Sequence, residues 1–464
     1  MNTRRSTAPS IFRSHGPRIL VILALAALGG LLSAWLVPAE CRAVARQLVG
    51  FPDSDLRTHQ ARPIVLAGLC FLPALAAFVY TLGGTLDRYV SRQFLGILGV
   101  CLSSLFMIWL LIDLSDNVSE FRESDHILAT LGMFYGSRLP AILLLLLPYS
   151  LLLALLYSLG KLSTNREIIA IIQSGRGIFR VTLPLMIAGI FFTLLSLGIN
   201  FHWAPIAEGR QDEILAEASG VEATEATQVL YRNPANRRLW MIGAFPADYE
   251  KGKALRNVEV TTTDENSRIV SRLSASHAQW NRHDRHWTFQ DPLLSRFSPG
   301  MPPVFEKPAD SLTIDSWSET PWQLIKPGLS AAHLGIPDLS TWLQANAQQI
   351  SFADPAPYLT QWHYRWALPF TCLLTVLLAT PLAIHFSRRG PGGGIFLAVC
   401  LSALMLLVSS IVLAFGEAGI LRPALAAWLP NLTFALLSAY LFHRRITGRP
   451  IYRTLAKLLP SAND

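Results

Sequence analysis

Apolar positions come in long unbroken runs toward both ends of this chain and in short alternating runs in its middle. A helix rises 1.5 Å per residue, so about 20 apolar residues cross the roughly 30 Å hydrocarbon core of a bilayer. Eight runs read as spans of this kind: Ile19–Val37, Pro63–Leu82, Phe94–Leu114, Leu139–Leu159, Phe179–Ile199, Trp366–Phe386, Ile395–Phe415 and Leu425–Phe442. From Asn200 to about Pro357 the runs stop. Asn257–Asp291 alternates instead, as VEVTTTD, the turn ENS, RIVSRLSASHAQW, the turn NRHDRH, and WTFQD. Val258 and Val260 fall on one face, and short strands joined by polar turns predict an antiparallel sheet. Trp280 and Trp287 flank the second turn and are expected to pair across it. Met301–Pro308 is rich in proline and reads as a loop. The middle of the chain is therefore expected to be a soluble β-sandwich or jelly roll inserted between two groups of spans.

The sharpest change of character lies within Leu139–Arg180. Gly160–Asn165 is a polar break, Arg166–Gln173 reads as a short helix, and Ser174–Gly177 ends it, with Gly175 as a C-terminal cap. A helix this short is not stable alone in water. It needs a surface, either lipid headgroups or another protein. Lys161, Arg166, Arg176 and Arg180 surround it, which places it on the cytoplasmic side. With the N-terminus inside, alternation of the spans also puts Arg88, Arg92, Arg388, Arg389 and the basic C-terminal tail inside, and the β-domain outside. Arg42, Arg46, Arg57 and Arg62 fall outside and misfit, diluted by Glu40, Asp53 and Asp55. The first run has rivals as a signal peptide and, at Cys41, as a lipoprotein site. Its length favours a retained span, and Glu40 stands where a lipoprotein site wants a small residue.

With 51% hydrophobic and only 15% charged residues, the chain is too apolar for an ordinary soluble protein. The net charge of +8 follows from basic cytoplasmic segments, so no nucleic-acid partner is expected. The five cysteines lack metal-ligand spacing, and four lie in apolar runs as small hydrophobes. His283, Asp284 and His286 read as a solvated hairpin turn, not a metal site. No G-x-x-x-x-G-K-[ST] phosphate loop and no nucleophile–base constellation is found, so the chain reads as a non-enzyme with no cofactor of its own. Asp113 lies near the outer end of the third span, where an ionisable group is costly and often functional. Arg122, Arg138 and Arg365 stand at predicted outer ends of spans, where a guanidinium takes phosphate in bidentate fashion or simply anchors to headgroups. Glu417 reads as a loop residue, and Pro148, Pro184, Pro369 and Pro381 as possible kinks.

Five ordered segments carry a resemblance: LDRYVSRQFL, LPYSLLLALLYSLGKLSTNREIIAIIQSG, YRNPANRRLWMI, HYRWALPFTCLLTVLLATPLA and RPALAAWLPNLTF. Over about Leu86–Arg449 the chain resembles the LptF/LptG (YjgP/YjgQ) permease family. The resemblance implies an α-helical polytopic inner-membrane protein with a six-span body and an inserted periplasmic β-jellyroll. Residues 1–85 would then be an N-terminal extension with two additional spans. Residues 86–200 form the first transmembrane half, 201–360 the β-domain, 361–446 the second half and 447–464 a cytoplasmic tail. It implies a subunit that extracts lipopolysaccharide from the inner membrane. The implied partners are a second LptF/LptG-like permease subunit, an LptB-like ATPase dimer that uses the ATP, and an LptC-like and LptA-like periplasmic bridge. On this resemblance Arg166, Glu167, Ile168, Gln173, Ser174 and Gly175 form the ATPase-coupling helix, and Asp113, Arg122, Arg138 and Arg365 are lipid-contact candidates. Family members can carry a lysine just before the acidic position, where this chain has Leu110 and Leu111, so that contact is not carried over. A non-transport membrane sensor or scaffold with a periplasmic β-domain is the competing reading.

Overall fold

A computed structural model describes residues 11–447, except 48–55, 119–120, 122–126, 176, 209–223, 326–329, 347–354, 385–391 and one or two residues in several loops of the β-domain. Arg122, Arg176 and His283 lie outside the described residues. The chain opens with α1 (Ile11–Gln47), α2 (Leu56–Leu82), α3 (Thr85–Asp116), α4 (Ile127–Thr164), the short α5 (Glu167–Gln173) and α6 (Ile178–Phe201). Eight strands follow, then α7 (Pro321–Ile325), α8 (Ile336–Asn346), α9 (Ala356–Ala367), α10 (Phe370–Ala383), α11 (Gly392–Glu417) and α12 (Pro423–Ile446). Seven of the described helices are long and apolar enough to cross a membrane, and α9 with α10 makes an eighth if the pair is one bent span. Several outrun their apolar cores: α4 has 38 residues, roughly 57 Å of helix, so its ends reach past the hydrocarbon.

The bundle is built around α4. Leu151, Leu155 and Leu159 are fully buried, in one core with Phe94 of α3, Leu185 of α6 and Val376 and Ala379 of α10. Buried serines do not disturb it, because Ser150 and Ser158 return their hydroxyls to the carbonyls of Leu146 and Leu155 in their own helix. The span expected at Trp366–Phe386 is instead broken. Between α9 and α10 the axis turns by 51°. Pro369 has no N–H to continue the ladder, and the last α9-type bond runs from Leu368 N to Tyr364 O at 2.8 Å. Asn431 of α12 caps the freed end by donating to Ala367 O at 2.7 Å. Glu417, expected in a loop, closes α11 and accepts from Gln361 Nε2 at 2.6 Å.

The helices α1 and α2 form an antiparallel hairpin, and only Gly83 and Gly84 separate α2 from α3. Along its length α2 packs on α6, where Leu69 fills the place a side chain at Gly198 would need. At the end nearer the β-domain a buried polar cluster fastens it. Arg62 Nε donates to Glu40 Oε1 at 2.8 Å, joining α2 to α1. His59 Nε2 meets Thr341 Oγ1 at 3.0 Å, joining α2 to α8. His202, at the end of α6, stands 3.4 Å from Asp338 of α8. Burial alone raises the pKa of Asp338, but the adjacent His202 imidazole and the charges of His202, His59 and Arg62 outweigh it, bringing the carboxyl down to about 2. The misfit of the positive-inside rule thus has a partial cause: Arg62 is only 4% exposed and paired, not a free loop cation.

The strands form one antiparallel sheet in the order β1–β2–β3–β4–β5–β8, with β6 pairing β4 and β7. They are β1 (Thr224–Asn233), β2 (Arg238–Pro246), β3 (Leu255–Thr263), β4 (Ile269–Asn281), β5 (His286–Gln290), β6 (Leu293–Arg296), β7 (Val304–Glu306) and β8 (Ser311–Ile314). Val258 and Val260 share the buried face as expected. Trp280 stands opposite Trp287, ring centroids 5.2 Å apart. The expected loop at Met301–Pro308 contains β7. Its prolines flank the strand, and β7 pairs only with β6 among the described residues, so no ladder bond is lost to proline. Inside the domain, Glu319 accepts two bonds from Arg238 (2.8 and 2.9 Å) and one from Asn233 (2.8 Å). Arg238 also lies over Trp317, so the buried carboxylate is paired and hydrogen-bonded, as such a group must be.

Candidate functional site

The six residues of the expected coupling helix gather at the end of α4 and α6 remote from the β-domain. The sequence places Arg166 in the helix, whereas the structure uses it as the N-cap, in the left-handed region with φ 60°. Gly175 follows the C-cap with φ +87°, the conformation glycine adopts most readily. Two left-handed residues therefore bracket α5 and let the chain leave α4 and enter α6 within a few residues. Ile168 is 1% exposed and inserts into the bundle core. It is an anchor, not an outward contact. Arg166, Ala170, Gln173, Ser174 and Gly175 are exposed. At helical spacing, 166, 170, 173 and 174 form one outward face.

Glu167 is partly exposed and already engaged. Its Oε2 accepts from Tyr89 Oη at 2.9 Å and its Oε1 from Asn165 Nδ2 at 3.1 Å. The first bond ties α5 to α3. Tyr89 belongs to LDRYVSRQFL, yet neither periodicity nor charge singles it out, since the pairing spans 78 positions of sequence.

Of the lipid-contact candidates, the structure pairs two and holds Arg365 in separate contacts. Asp113 and Arg138 find each other: Arg138 Nη1 lies 2.9 and 3.1 Å from the two oxygens of Asp113. The guanidinium is also held over Trp109 and Phe134, with ring centroids at 5.2 and 4.9 Å. The pair is therefore neutral and mostly enclosed. Arg365 is 5% exposed. It donates to Asn200 Oδ1 at 3.3 Å and to the Ala332 carbonyl, while Asn200 Nδ2 donates to the Arg365 carbonyl at 2.6 Å. Its guanidinium stitches α6 and the turn at Ala331–His333 to the bent pair. Asp284, in the β4–β5 turn, accepts from Asn281 Nδ2 at 2.7 Å.

These features define a multi-pass membrane protein with an inserted antiparallel sheet and a short surface helix between two of its spans. The family described as "Lipopolysaccharide export system permease LptF/LptG" matches residues 88–444. The chain belongs to that family. It is 24% identical over 325 residues to lipopolysaccharide export system permease protein LptF of Escherichia coli K12, covering 66% of this chain and 80% of the relative. To LptG of the same organism it is 23% identical over 371 residues, covering 78% of this chain and 99% of the relative.

Proposed function

We propose that the chain is a permease subunit of a lipopolysaccharide exporter, paired with a second LptF/LptG-type subunit and driven by a separate LptB-like ATPase dimer. The spans α3, α4, α6, α9–α10, α11 and α12 make the six-span body, and α1 and α2 add two. Both termini lie in the cytoplasm, and the sheet is a periplasmic jelly roll that passes lipid to an LptC-like and LptA-like bridge. Family membership supports the transport role.

The observation that carries the coupling step is the way α5 is held. Its polar face is outward, while Ile168 sits in the core and Glu167 is tied to Tyr89. Motion of an ATPase docked on Arg166, Gln173, Ser174 and Gly175 would pass to the bundle through Ile168 and to α3 through Glu167. Work is required because withdrawing an acyl chain costs about 0.8 kcal/mol per methylene. Arg138 reaches a lipid phosphate only by exchanging Asp113 for it. Arg122 is a further contact candidate, and Arg365 acts through the bend it stabilises.

The test is capture of the ATPase by the full-length chain, with lipid-stimulated ATP turnover, in wild type and Glu167→Ala. Loss of capture or stimulation in a folded variant supports coupling. Normal values in the variant remove Glu167 from the mechanism. A folded wild type that captures no ATPase overturns the transport reading in favour of a sensor or scaffold.

A further inference from the structure

Between α2, α3 and α6 lies a cleft of about 550 Å³, within the range of small-molecule sites. Leu72 and Ala76 of α2, Phe94 of α3, and Leu183, Ile187 and Phe191 of α6 supply apolar wall. The α2 wall lies outside residues 88–444, so the family match does not account for the cleft. Two charged side chains also line it, Asp87 and Arg180. Both stand at the starts of their helices, at the same end as α5.

Asp87 is only half satisfied. Its Oδ2 accepts from Gly84 N at 2.9 Å and from Arg180 Nη2 at 2.9 Å. Its Oδ1 is buried and has no partner among the described residues, although the residue is 9% exposed. A buried carboxylate oxygen of this kind calls for an N–H or O–H donor. Arg180 is different: its side chain is 51% exposed, and a guanidinium carries five donors, so one bond to Asp87 leaves it able to take a phosphate.

An unmet carboxylate acceptor, a half-exposed phosphate-binding group and an adjoining apolar cleft together favour a phospholipid whose headgroup carries both a cationic donor and a phosphate. We propose that the cleft holds an acyl chain of a phospholipid with a primary-ammonium headgroup, an ethanolamine phospholipid from the surrounding leaflet. Its ammonium donates to the Asp87 carboxylate, its phosphate accepts from Arg180, and its chain lies along α2 and α6. The site is independent of the export reading and sits at the opposite end of the bundle from the lipid-contact candidates Asp113 and Arg138. It makes α2 one wall of a resident lipid site.

The experiment is native mass spectrometry of the full-length protein, stripped of lipid in mild detergent and titrated with phosphatidylethanolamine, phosphatidylcholine or phosphatidylglycerol of identical acyl chains. Phosphatidylcholine has no N–H on its headgroup, and phosphatidylglycerol has no cation. A charge-assisted hydrogen bond predicts retention of one phosphatidylethanolamine per chain with a preference on the order of tenfold over both rivals. Asp87→Asn should abolish the preference. Because Asp87 also pairs with Arg180, a second variant on the opposite wall is needed: Ala76→Phe fills the cleft and should cut phosphatidylethanolamine retention without touching either charged group. Equal retention of the three lipids by wild type, as expected of annular lipid only, overturns the proposal. So does preference for phosphatidylglycerol, or undiminished retention in Ala76→Phe.

Discussion

Two helices of nearly equal length and apolarity, α1 and α4, have opposite surroundings. They run to 37 and 38 residues, yet 56% of the most apolar stretch of α4 is buried inside the protein and 6% of that of α1. Leu20, Leu31 and Trp35 of α1 face outward, while Leu151, Leu155 and Leu159 of α4 make the core. Hydropathy selects both for a bilayer, because lipid and protein interior are equally apolar solvents for leucine. It does not say which helix the others assemble around. That choice rests on which apolar faces meet, as Leu151, Leu155 and Leu159 meet α3, α6 and α10, and on polar contacts that fasten a peripheral helix at particular points.

The largest effect that would sharpen this contrast is at the fastening of the hairpin. Asp338→Ala removes the carboxylate that His202 faces at 3.4 Å and that the charges of His59 and Arg62 stabilise, and removing one partner of a buried ionic group costs about 3–5 kcal/mol. Thermal unfolding in detergent should drop accordingly, and hydrogen exchange should rise first in α2. Exchange rising equally in α4 would break the view that the hairpin is a separate layer. Next, Leu155→Ala should destabilise by about 2–5 kcal/mol, whereas Leu31→Ala on α1 should stay within about 0.5 kcal/mol of wild type. Similar values for the two would erase the distinction between core and peripheral helix.

Acid should act through the same fastening. The carboxyl of Asp338 binds its proton less readily in the folded state, at about 2 against the ordinary 3.8. Its stabilisation is complete above the ordinary value and is lost as pH falls from there toward about 2. Protection of α2 measured across that window should decline in wild type and stay flat in Asp338→Asn. The smallest effect is expected at the surface helix: Tyr89→Phe removes one exposed hydrogen bond, worth less than about 1 kcal/mol, and should leave ATPase capture nearly intact. Loss as severe as in Glu167→Ala would make Tyr89 part of the docking face itself.

Much of this architecture is written locally. Long apolar runs announce the membrane helices, and the polar break at Gly160–Asn165 announces α5. Alternation around Val258, together with the turn between Trp280 and Trp287, announces the sheet. What stays hidden depends on partners far apart in sequence. Arg62 reads as a stray loop cation because Glu40 and the α8 cluster that enclose it are named by no periodicity. Asp113 and Arg138 read as two free ligands for lipid, and only folding makes them each other's counter-ion. Arg365 reads as an end-of-span residue because Trp366 begins the apolar run. Helix α9 in fact starts ten residues earlier, at Ala356, and its guanidinium is spent on backbone carbonyl and amide groups. The strand at Val304–Glu306 is hidden by its neighbouring prolines, whose cost depends on whether the ladder needs their N–H groups.

The two-residue junction at Gly83 and Gly84 has a consequence in mass action. A helix tethered this closely meets its docking groove at an effective concentration in roughly the millimolar range or above. Such a helix stays seated with modest intrinsic affinity, whatever the cellular abundance of any other protein. Occupancy of that flank is thereby fixed at one hairpin per chain by covalent stoichiometry, and a free peptide with the α2 sequence would have to outcompete a ligand that dilution cannot remove.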